Sequence, residues 1–291
     1  MRGNEAAHQF VAPGSLGAVL DLIASEPGKW TPIAGGTELM VAFAAGRLSA
    51  GNLVSIWDVS ELRFIDSTPD EIIIGAGTTF RDLRADAVIA AGFPLLEKAA
   101  SWVGAIANQA RATIGGNLVN GSPAADSSPA LLVYDAEIEL VSVRGKRRLP
   151  YSAFHTGYKQ NAMTADELLY AVHLPRRFAQ HRQYLRKVGT RRAMAISKVA
   201  LGAVALMSNG IIDEIRIAGA SLAPFPARLH GSEVALARKA PTPNVIEAAR
   251  QALLAEAQPI DDIRSTAQYR KAVGANLLEE FLRGLTRETD T

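Results

Sequence analysis

Two segments of adjacent glycines constrain this chain more than anything else in it. The second reads Arg111-Ala112-Thr113-Ile114-Gly115-Gly116-Asn117-Leu118-Val119-Asn120-Gly121-Ser122-Pro123-Ala124-Ala125-Asp126. Almost every residue there is small, polar or conformationally special. Adjacent glycines reach positive φ cheaply and let backbone approach a ligand with no side chain in between. Thr113 and Asn117 flank the pair with hydrogen-bonding groups, and the carboxylate of Asp126 follows. The first segment, Ile33-Ala34-Gly35-Gly36-Thr37-Glu38-Leu39, joins an apolar strand-like run to a helical pattern. Such a junction leaves backbone N–H groups free to hold an anion. Neither segment is a P-loop, because no Gly-Lys-Ser/Thr follows, and neither has the spacing of a Rossmann turn. One such pair reads as an ordinary turn. Two of them, each beside a threonine and each leaving an apolar run, read as a grip on a long anionic ligand such as a dinucleotide.

Composition narrows the chemistry. With 291 residues, 48% of them hydrophobic, the chain has material for two domains of a soluble globular protein. No apolar run approaches a membrane span, and Met1 to Phe10 has no signal-peptide core, so the expected compartment is the cytoplasm. There is no cysteine, which excludes disulfides, thiolate catalysis, zinc-thiolate sites and cysteine-ligated iron–sulfur clusters within this chain. A net charge of +2 gives no argument for nucleic acid. The cluster Arg144-Gly145-Lys146-Arg147-Arg148 reads as a solvated hairpin turn. The five histidines are scattered and the carboxylates dispersed, so neither a metal site nor a catalytic acid–base pair is expected. A serine nucleophile elbow is also missing. An enzyme without proton or nucleophile machinery leaves the chemistry to a cofactor, which favours redox over hydrolysis.

Along the chain, Leu16, Val19, Leu20 and Ile23 predict a helix capped by Ser15. Trp30 to Ile33 and Asn52 to Ile56 predict parallel strands either side of a helix from Glu38 to Ala45, with Leu39, Met40 and Phe43 inward. Short strands around Thr68-Pro69-Asp70 predict an antiparallel hairpin. Thr79-Phe80-Arg81-Asp82 predicts a capping box opening a helix to about Ile89, with a further helix from Pro94 to Val103. Ser128-Pro129 opens a short helix to Tyr134. Ile138 and Leu140 alternate with Glu137 and Glu139, predicting a strand with one wet face. Glu167 to Leu174 predicts another strand. Beyond a polar stretch at Arg176 to Gln183 come three strands, Tyr184 to Val188, Val199 to Met207 and Ile211 to Ala218, then helices near 244–256 and 266–285. The class is α+β.

The motifs together resemble the FAD-binding (medium) subunit of the xanthine dehydrogenase and carbon monoxide dehydrogenase family of molybdenum hydroxylases. The residues that carry the resemblance are Ala34 to Leu39, Ala112 to Asn117 with Ser122 to Asp126, and Lys187 with Arg191-Arg192 and Ile196-Ser197-Lys198-Val199. Ala223-Pro224-Phe225-Pro226-Ala227-Arg228 and Ala267-Gln268-Tyr269-Arg270 add to it, so that it covers almost the whole chain. It implies a vanillyl-alcohol-oxidase-type (PCMH-like) FAD-binding domain over residues 1–178, with a small α/β part to about 58 and a larger antiparallel part after it. A C-terminal domain over 179–291 would then pack a three-stranded antiparallel sheet on helices.

The resemblance also implies roles. Ile33, Ala34, Gly35, Gly36, Thr37, Glu38 and Leu39, with Thr113, Gly115, Gly116 and Asn117, are expected to hold the pyrophosphate of FAD, mainly through N–H groups. Asp126 is expected to accept from a sugar or ribityl hydroxyl, Leu169 to pack on the flavin, and Val103 and Gly104 to line its cavity. Lys187 is expected at the pyrimidine edge of the isoalloxazine. On residue chemistry alone each has a plain rival: Asp126 as a helix cap, Lys187 as a solvated strand lysine, Leu169 and Val103 as core. Molybdopterin and [2Fe-2S] clusters are expected in partner subunits, a large and a small one, in a heterotrimer that is often dimerised, with NAD, quinone or oxygen as acceptor. Residues 154–169 lean toward the xanthine dehydrogenases. Two other functions stand beside this one: a stand-alone flavin oxidoreductase with its own substrate pocket, and a non-catalytic nucleotide-binding module.

Overall fold

The computed structural model describes residues 4–191 and 194–287, so Arg192 lies outside the described residues. The chain begins with β1 (Gln9–Val11), α1 (Leu16–Ser25), β2 (Trp30–Ile33), α2 (Leu39–Ala44) and β3 (Asn52–Ser55). Ser15 caps α1 by accepting from Ala18 N, and Val19, Leu20 and Ile23 form its buried face. β2 and β3 pair in parallel as expected, and β1, too short to read from the sequence, pairs in parallel on the other side of β3. The first glycine segment therefore leaves the carboxyl end of a parallel strand. Helix α2 departs from expectation. None of its residues is buried, and Met40 and Val41 are 51% and 61% exposed, so its apolar side faces outward rather than into the core.

β4 (Ile65–Ser67) and β5 (Glu71–Gly75) form the expected hairpin. Thr79 and Asp82 make the predicted capping box. The single helix expected to reach Ile89 is instead two, α3 (Phe80–Ala85) and α4 (Ala87–Gly92). Asp86 breaks it by leaving helical geometry at ψ 121° and accepting from Val88 and Ile89 N–H to cap the second. After α5 (Pro94–Ala100) and α6 (Ile106–Gln109), the second glycine segment proves to be a helix start. Thr113 caps α7 (Ile114–Val119), and both glycines lie in its first turn. Helix α8 (Ser128–Val133) follows.

The strands β6 (Glu137–Ser142), β7 (Gly145–Pro150), β8 (His155–Gly157), β9 (Gln160–Asn161) and β10 (Leu168–Pro175) complete the N-terminal unit. Its main sheet is antiparallel in the order β4-β5-β10-β6-β7. Strand β6 lacks the wet face predicted for it. Glu139 is only 8% exposed because His173 Nε2 lies 2.7 Å and Lys146 Nζ 3.2 Å from its carboxylate. The basic cluster does form the β6–β7 turn, but its arginines are paired. Arg147 donates twice to Glu167, at 2.6 and 2.8 Å, and Arg144 bonds Asp166.

The C-terminal unit contains β11 (Arg182–Val188), β12 (Val199–Ser208), β13 (Ile211–Ala220), β14 (Ala227–Arg228), α9 (His230–Leu236), α10 (Pro243–Glu256) and α11 (Ala267–Arg287). Its antiparallel sheet has four strands rather than the expected three, because β14 adds to β13. Two residues carry no periodic signal, which is why the sequence hides it. Both faces of β12 are buried. Val199, Leu201, Ala203 and Ala205 join the core under the C-terminal helices, while Val204 joins the large core of the N-terminal unit. Gly202 lies against α8, where a Cβ would sit 3.1 Å from the Pro129 carbonyl oxygen. One strand thus serves two cores, fixing the two units against each other. Among the described residues no helix is long and apolar enough to cross a membrane.

Candidate cofactor site

The two glycine segments meet. A Cβ on Gly35 would lie 1.7 Å from the carbonyl oxygen of Arg111, so only glycine admits this approach. Arg111 donates from Nε to the Gly35 carbonyl at 3.3 Å, and its guanidinium lies 3.8 Å from the ring centroid of Trp57. Gly36 adopts φ +73°, which turns the chain from β2 into α2. Among the described residues the backbone N–H groups of Gly35, Gly36, Thr37 and Glu38 donate to no other group of the chain. They border an open groove of about 610 Å³ lined by Gly35, Gly36, Thr37, Met40, Val41 and Asn108, among others. The outward apolar side of α2 is one wall of it.

The second segment is different. Its N–H groups are engaged within the chain: Ile114 with Thr78 O, Gly115 with Ala76 O, Gly116 with Thr113 Oγ1 and Asn117 with Thr113 O. Gly115 is buried against Ala76, 2.6 Å from where its Cβ would stand, whereas a Cβ on Gly116 would meet only Thr113 Oγ1 at 3.0 Å. The grip expected from backbone amides therefore falls on the first segment. The second offers the bare surface of Gly116 and the side chain of Asn117, whose Oδ1 accepts from Ser127 Oγ at 2.6 Å, leaving its amide donors for a ligand.

Asp126 does not cap α8; that helix has Ser127 as its N-cap, without a side-chain bond. Instead Asp126 Oδ2 accepts from Lys187 Nζ at 2.7 Å and Oδ1 from Ser197 Oγ at 2.6 Å. Lys187 also donates to the Trp102 carbonyl at 3.3 Å, and only 11% of its side chain is exposed, so it is not a solvated strand lysine. Burial pushes the Asp126 carboxyl above the ordinary carboxylate range, against the pull of Lys187 and Ser197. Val103 and Gly104 follow Trp102 directly, and Gly104 adopts φ +58° with Asn108 packed where its Cβ would be. Leu169 is 4% exposed and, with the half-buried Val103, belongs to the large core. Glu38 is exposed at the start of α2, 3.8 Å from Lys159.

These contacts close a ring. Gly35 leads to Arg111 and α7; Asn117 leads through Ser127 to Asp126; Asp126 leads through Lys187 to Trp102, Val103 and Gly104; Asn108 returns to the groove beside Gly35. Of the residues named from the sequence, Gly35, Gly36 and Thr37 line the groove, Asp126 and Lys187 bond each other, Gly115 packs on Ala76, and Leu169 and Val103 belong to the large core. The sequence reading gave no role to Arg111, Trp57, Asn108 or Ser197. Arg111 and Ser197 lie inside the quoted motifs, but their partners are distant in sequence, so only tertiary contact assigns them.

Residues 6–177 match the family model for the FAD-binding domain in molybdopterin dehydrogenase, and residues 184–285 match the CO dehydrogenase flavoprotein C-terminal domain. The chain belongs to the family of FAD-binding medium subunits of the xanthine and carbon monoxide dehydrogenases. It is 31% identical over 258 residues to the xanthine dehydrogenase FAD-binding subunit of Escherichia coli O157:H7, covering 88% of each chain. It is 27% identical over 274 residues to the carbon monoxide dehydrogenase medium chain of Hydrogenophaga pseudoflava, covering 94% of this chain and 95% of that one. The carbon monoxide dehydrogenase structure from Hydrogenophaga pseudoflava that lacks the Mo-pyranopterin moiety of the molybdenum cofactor superposes with a TM-score of 0.92, at 26% identity. That superposition covers 97% of this chain and 98% of that one.

This medium subunit is thus part of an oxidoreductase and has an FAD-binding domain. The site fits the cofactor. Four unengaged amides beside an open groove suit a pyrophosphate, and no group of three or more metal-ligating side chains competes for the role among the described residues.

Proposed function

We propose that this subunit carries electrons between partner proteins. The FAD that its residues would hold would supply a relay from a [2Fe-2S] subunit, itself fed by a molybdopterin subunit, to an acceptor such as NAD, in a complex resembling xanthine dehydrogenase. The ring of contacts around the site carries the reading. At one end are unengaged amides and a bare glycine surface for the pyrophosphate; at the other is a buried lysine held against a carboxylate. FAD, when bound, supplies the two-electron chemistry. The chain's residues would hold and polarise it: Gly35 to Glu38 through N–H groups, Asn117 through its amide, and Lys187 through its charge. With no cysteine in this sequence to ligate an iron–sulfur cluster, the reading assigns the clusters to a partner chain. The share of identity with the xanthine dehydrogenase subunit supports the resemblance to that complex.

Purification of the native complex tests this. The expected result is a yellow preparation in which this chain co-purifies with a molybdenum-containing chain and a cysteine-rich one. A yellow chain that purifies alone and oxidises an organic substrate at full rate would overturn it in favour of a self-contained flavin enzyme. A chain that takes up no flavin would overturn the cofactor assignment itself.

A further inference from the structure

We propose that Ser197 and Asp126 are positioning residues for Lys187, and that through Ser197 the C-terminal domain sets the charge that the flavin site presents. The proposal deepens the flavin reading above and rests on it.

Three parts of the chain converge on Asp126. Lys187 comes from the end of β11 and Ser197 from the segment entering β12, both within the C-terminal family match. Asp126 itself and the Trp102 carbonyl belong to the N-terminal match. Each carboxylate oxygen has one donor, Ser197 on Oδ1 and Lys187 on Oδ2. Ser197 is fully buried, and its position is secured from behind. Ser221 Oγ donates to the Ser197 carbonyl at 3.3 Å, while Ser221 N–H donates to the Pro123 carbonyl at 2.7 Å, three residues before Asp126. On the other side Ser127 ties the same segment to Asn117. A hydrogen-bonded path therefore runs from the second glycine segment to the C-terminal sheet, with the buried ion pair in its middle.

The pair is neutral as a unit, so Lys187 presents an attenuated charge while Asp126 stays ionised. Ser197 helps keep it ionised, because a hydrogen bond to a buried carboxylate favours its charged form. The other charged groups nearby are oriented elsewhere. Lys98 from α5 lies over the Trp102 ring at 5.7 Å and donates to the Leu185 carbonyl, and Lys198 lies over the Tyr269 ring of α11 at 5.2 Å. Arg191 bonds the Met194 carbonyl. Tyr151 donates to Ser128 Oγ, and His155 Nε2 lies 3.2 Å from the Tyr151 hydroxyl, so neither bonds Asp126. Losing the Ser197 hydroxyl thus acts on Asp126 first. The carboxyl takes up a proton at higher pH than in the native chain, and Lys187 is then left uncompensated toward the cofactor.

The test is the flavin midpoint potential of the full chain as a function of pH. Native protein, Ser197→Ala, Ser197→Thr and Asp126→Asn are compared after FAD loading is checked by absorbance. Ser197→Ala should move the inflection assigned to Asp126 upward in pH. Ser197→Thr, which keeps the hydroxyl, should restore it, and Asp126→Asn should abolish it and hold the potential above the native one at pH values above the native inflection. An inflection that stays in place in Ser197→Ala, or that survives in Asp126→Asn, overturns the proposal while leaving FAD binding intact. The carboxyl carbon resonance of Asp126 is titrated in parallel in the cofactor-free chain. An upward move there in Ser197→Ala with no flavin uptake by any variant supports the coupling but sinks the flavin reading. No move in either measurement sinks the coupling.

Discussion

Replacing Lys187 with methionine keeps most of the stem and removes the ammonium. What remains is Asp126 with 12% of its side chain exposed, one donor from Ser197, and no counter-ion. Breaking a buried pair by removing one partner costs about 3–5 kcal/mol, because a lone charge is left out of water. The carboxylate can escape that penalty by taking a proton. From an ordinary value of 3.8, protonation at pH 7 costs about 4 kcal/mol, at about 1.4 kcal/mol per pH unit. The loss in Lys187→Met is therefore capped at about 4 kcal/mol at pH 7.

The sign follows from linkage. The folded-state value of Asp126 is already raised, and without Lys187 it rises further. A raised carboxyl contributes stability below its unfolded value and loses it as pH climbs through the folded one. The difference between native and variant should thus grow with pH, from little near pH 4 to its full size at pH 7. Urea unfolding of the cofactor-free chain at pH 5, 6, 7 and 8 reads this directly. A loss below about 1 kcal/mol at pH 7, or one flat across pH, refutes the view that the pair is buried and mutually dependent. The same logic fixes the effect on the flavin. Where Asp126 has taken the proton, the variant site is as neutral as the pair it replaces, and the potential should barely move. At higher pH a lone carboxylate remains and should lower it by a few tens of millivolts, since about 1.4 kcal/mol is roughly 30 mV for a two-electron couple. Lys198→Met, whose ammonium faces Tyr269, is the control and should change neither measurement.

The glycines separate folding from binding. Gly35→Ala pushes a methyl into the Arg111 carbonyl and should lower stability by about 1–3 kcal/mol or more, read by thermal unfolding. Gly116→Ala meets only Thr113 Oγ1, and its helical position favours alanine by up to about 1 kcal/mol, so it should fold normally by circular dichroism yet hold less FAD by absorbance. Arg111→Ala removes both the Gly35 bond and the stack on Trp57, and should weaken FAD binding roughly tenfold, about 1.4 kcal/mol, with a change in Trp57 fluorescence. His155 is buried beside Tyr151 and its value is pushed down to about 4, so stability should be full above its ordinary 6.5 and fall by up to about 3 kcal/mol between there and pH 4; His155→Phe should flatten that fall. The isolated, FAD-loaded chain should reduce dyes slowly with NADH and should not oxidise a purine or an aldehyde.

Much of this site was legible in the sequence because its signals are local. Gly-Gly beside threonine, a strand before it and a helix after it are features of a dozen consecutive residues, and backbone sterics alone attach meaning to them. The same holds for the Ser15 cap, the Thr79–Asp82 box and the β4–β5 hairpin, each settled by groups within a few residues of one another. The lack of cysteine excluded whole classes of chemistry with no structure at all.

Pairing across long separations was decided by the fold. Nothing in the sequence shows that Arg111 reaches Gly35, that the second segment's amides are engaged by Ala76 and Thr78, or that Asp126 serves Lys187 and Ser197 rather than α8. The wet face predicted for β6 failed for the same reason. Periodicity marks Glu139 as polar but cannot see His173 and Lys146 arriving from other strands to satisfy it. Helix α2 failed in the opposite sense, since an apolar pattern reports an affinity for apolar surroundings and not whether the core or a groove supplies them. The sequence determined which residues can touch a ligand with bare backbone or a charge. The tertiary structure decided which of those groups remain free to do so, because hydrogen bonds and ion pairs made elsewhere in the chain remove donors and charges that the sequence alone leaves available.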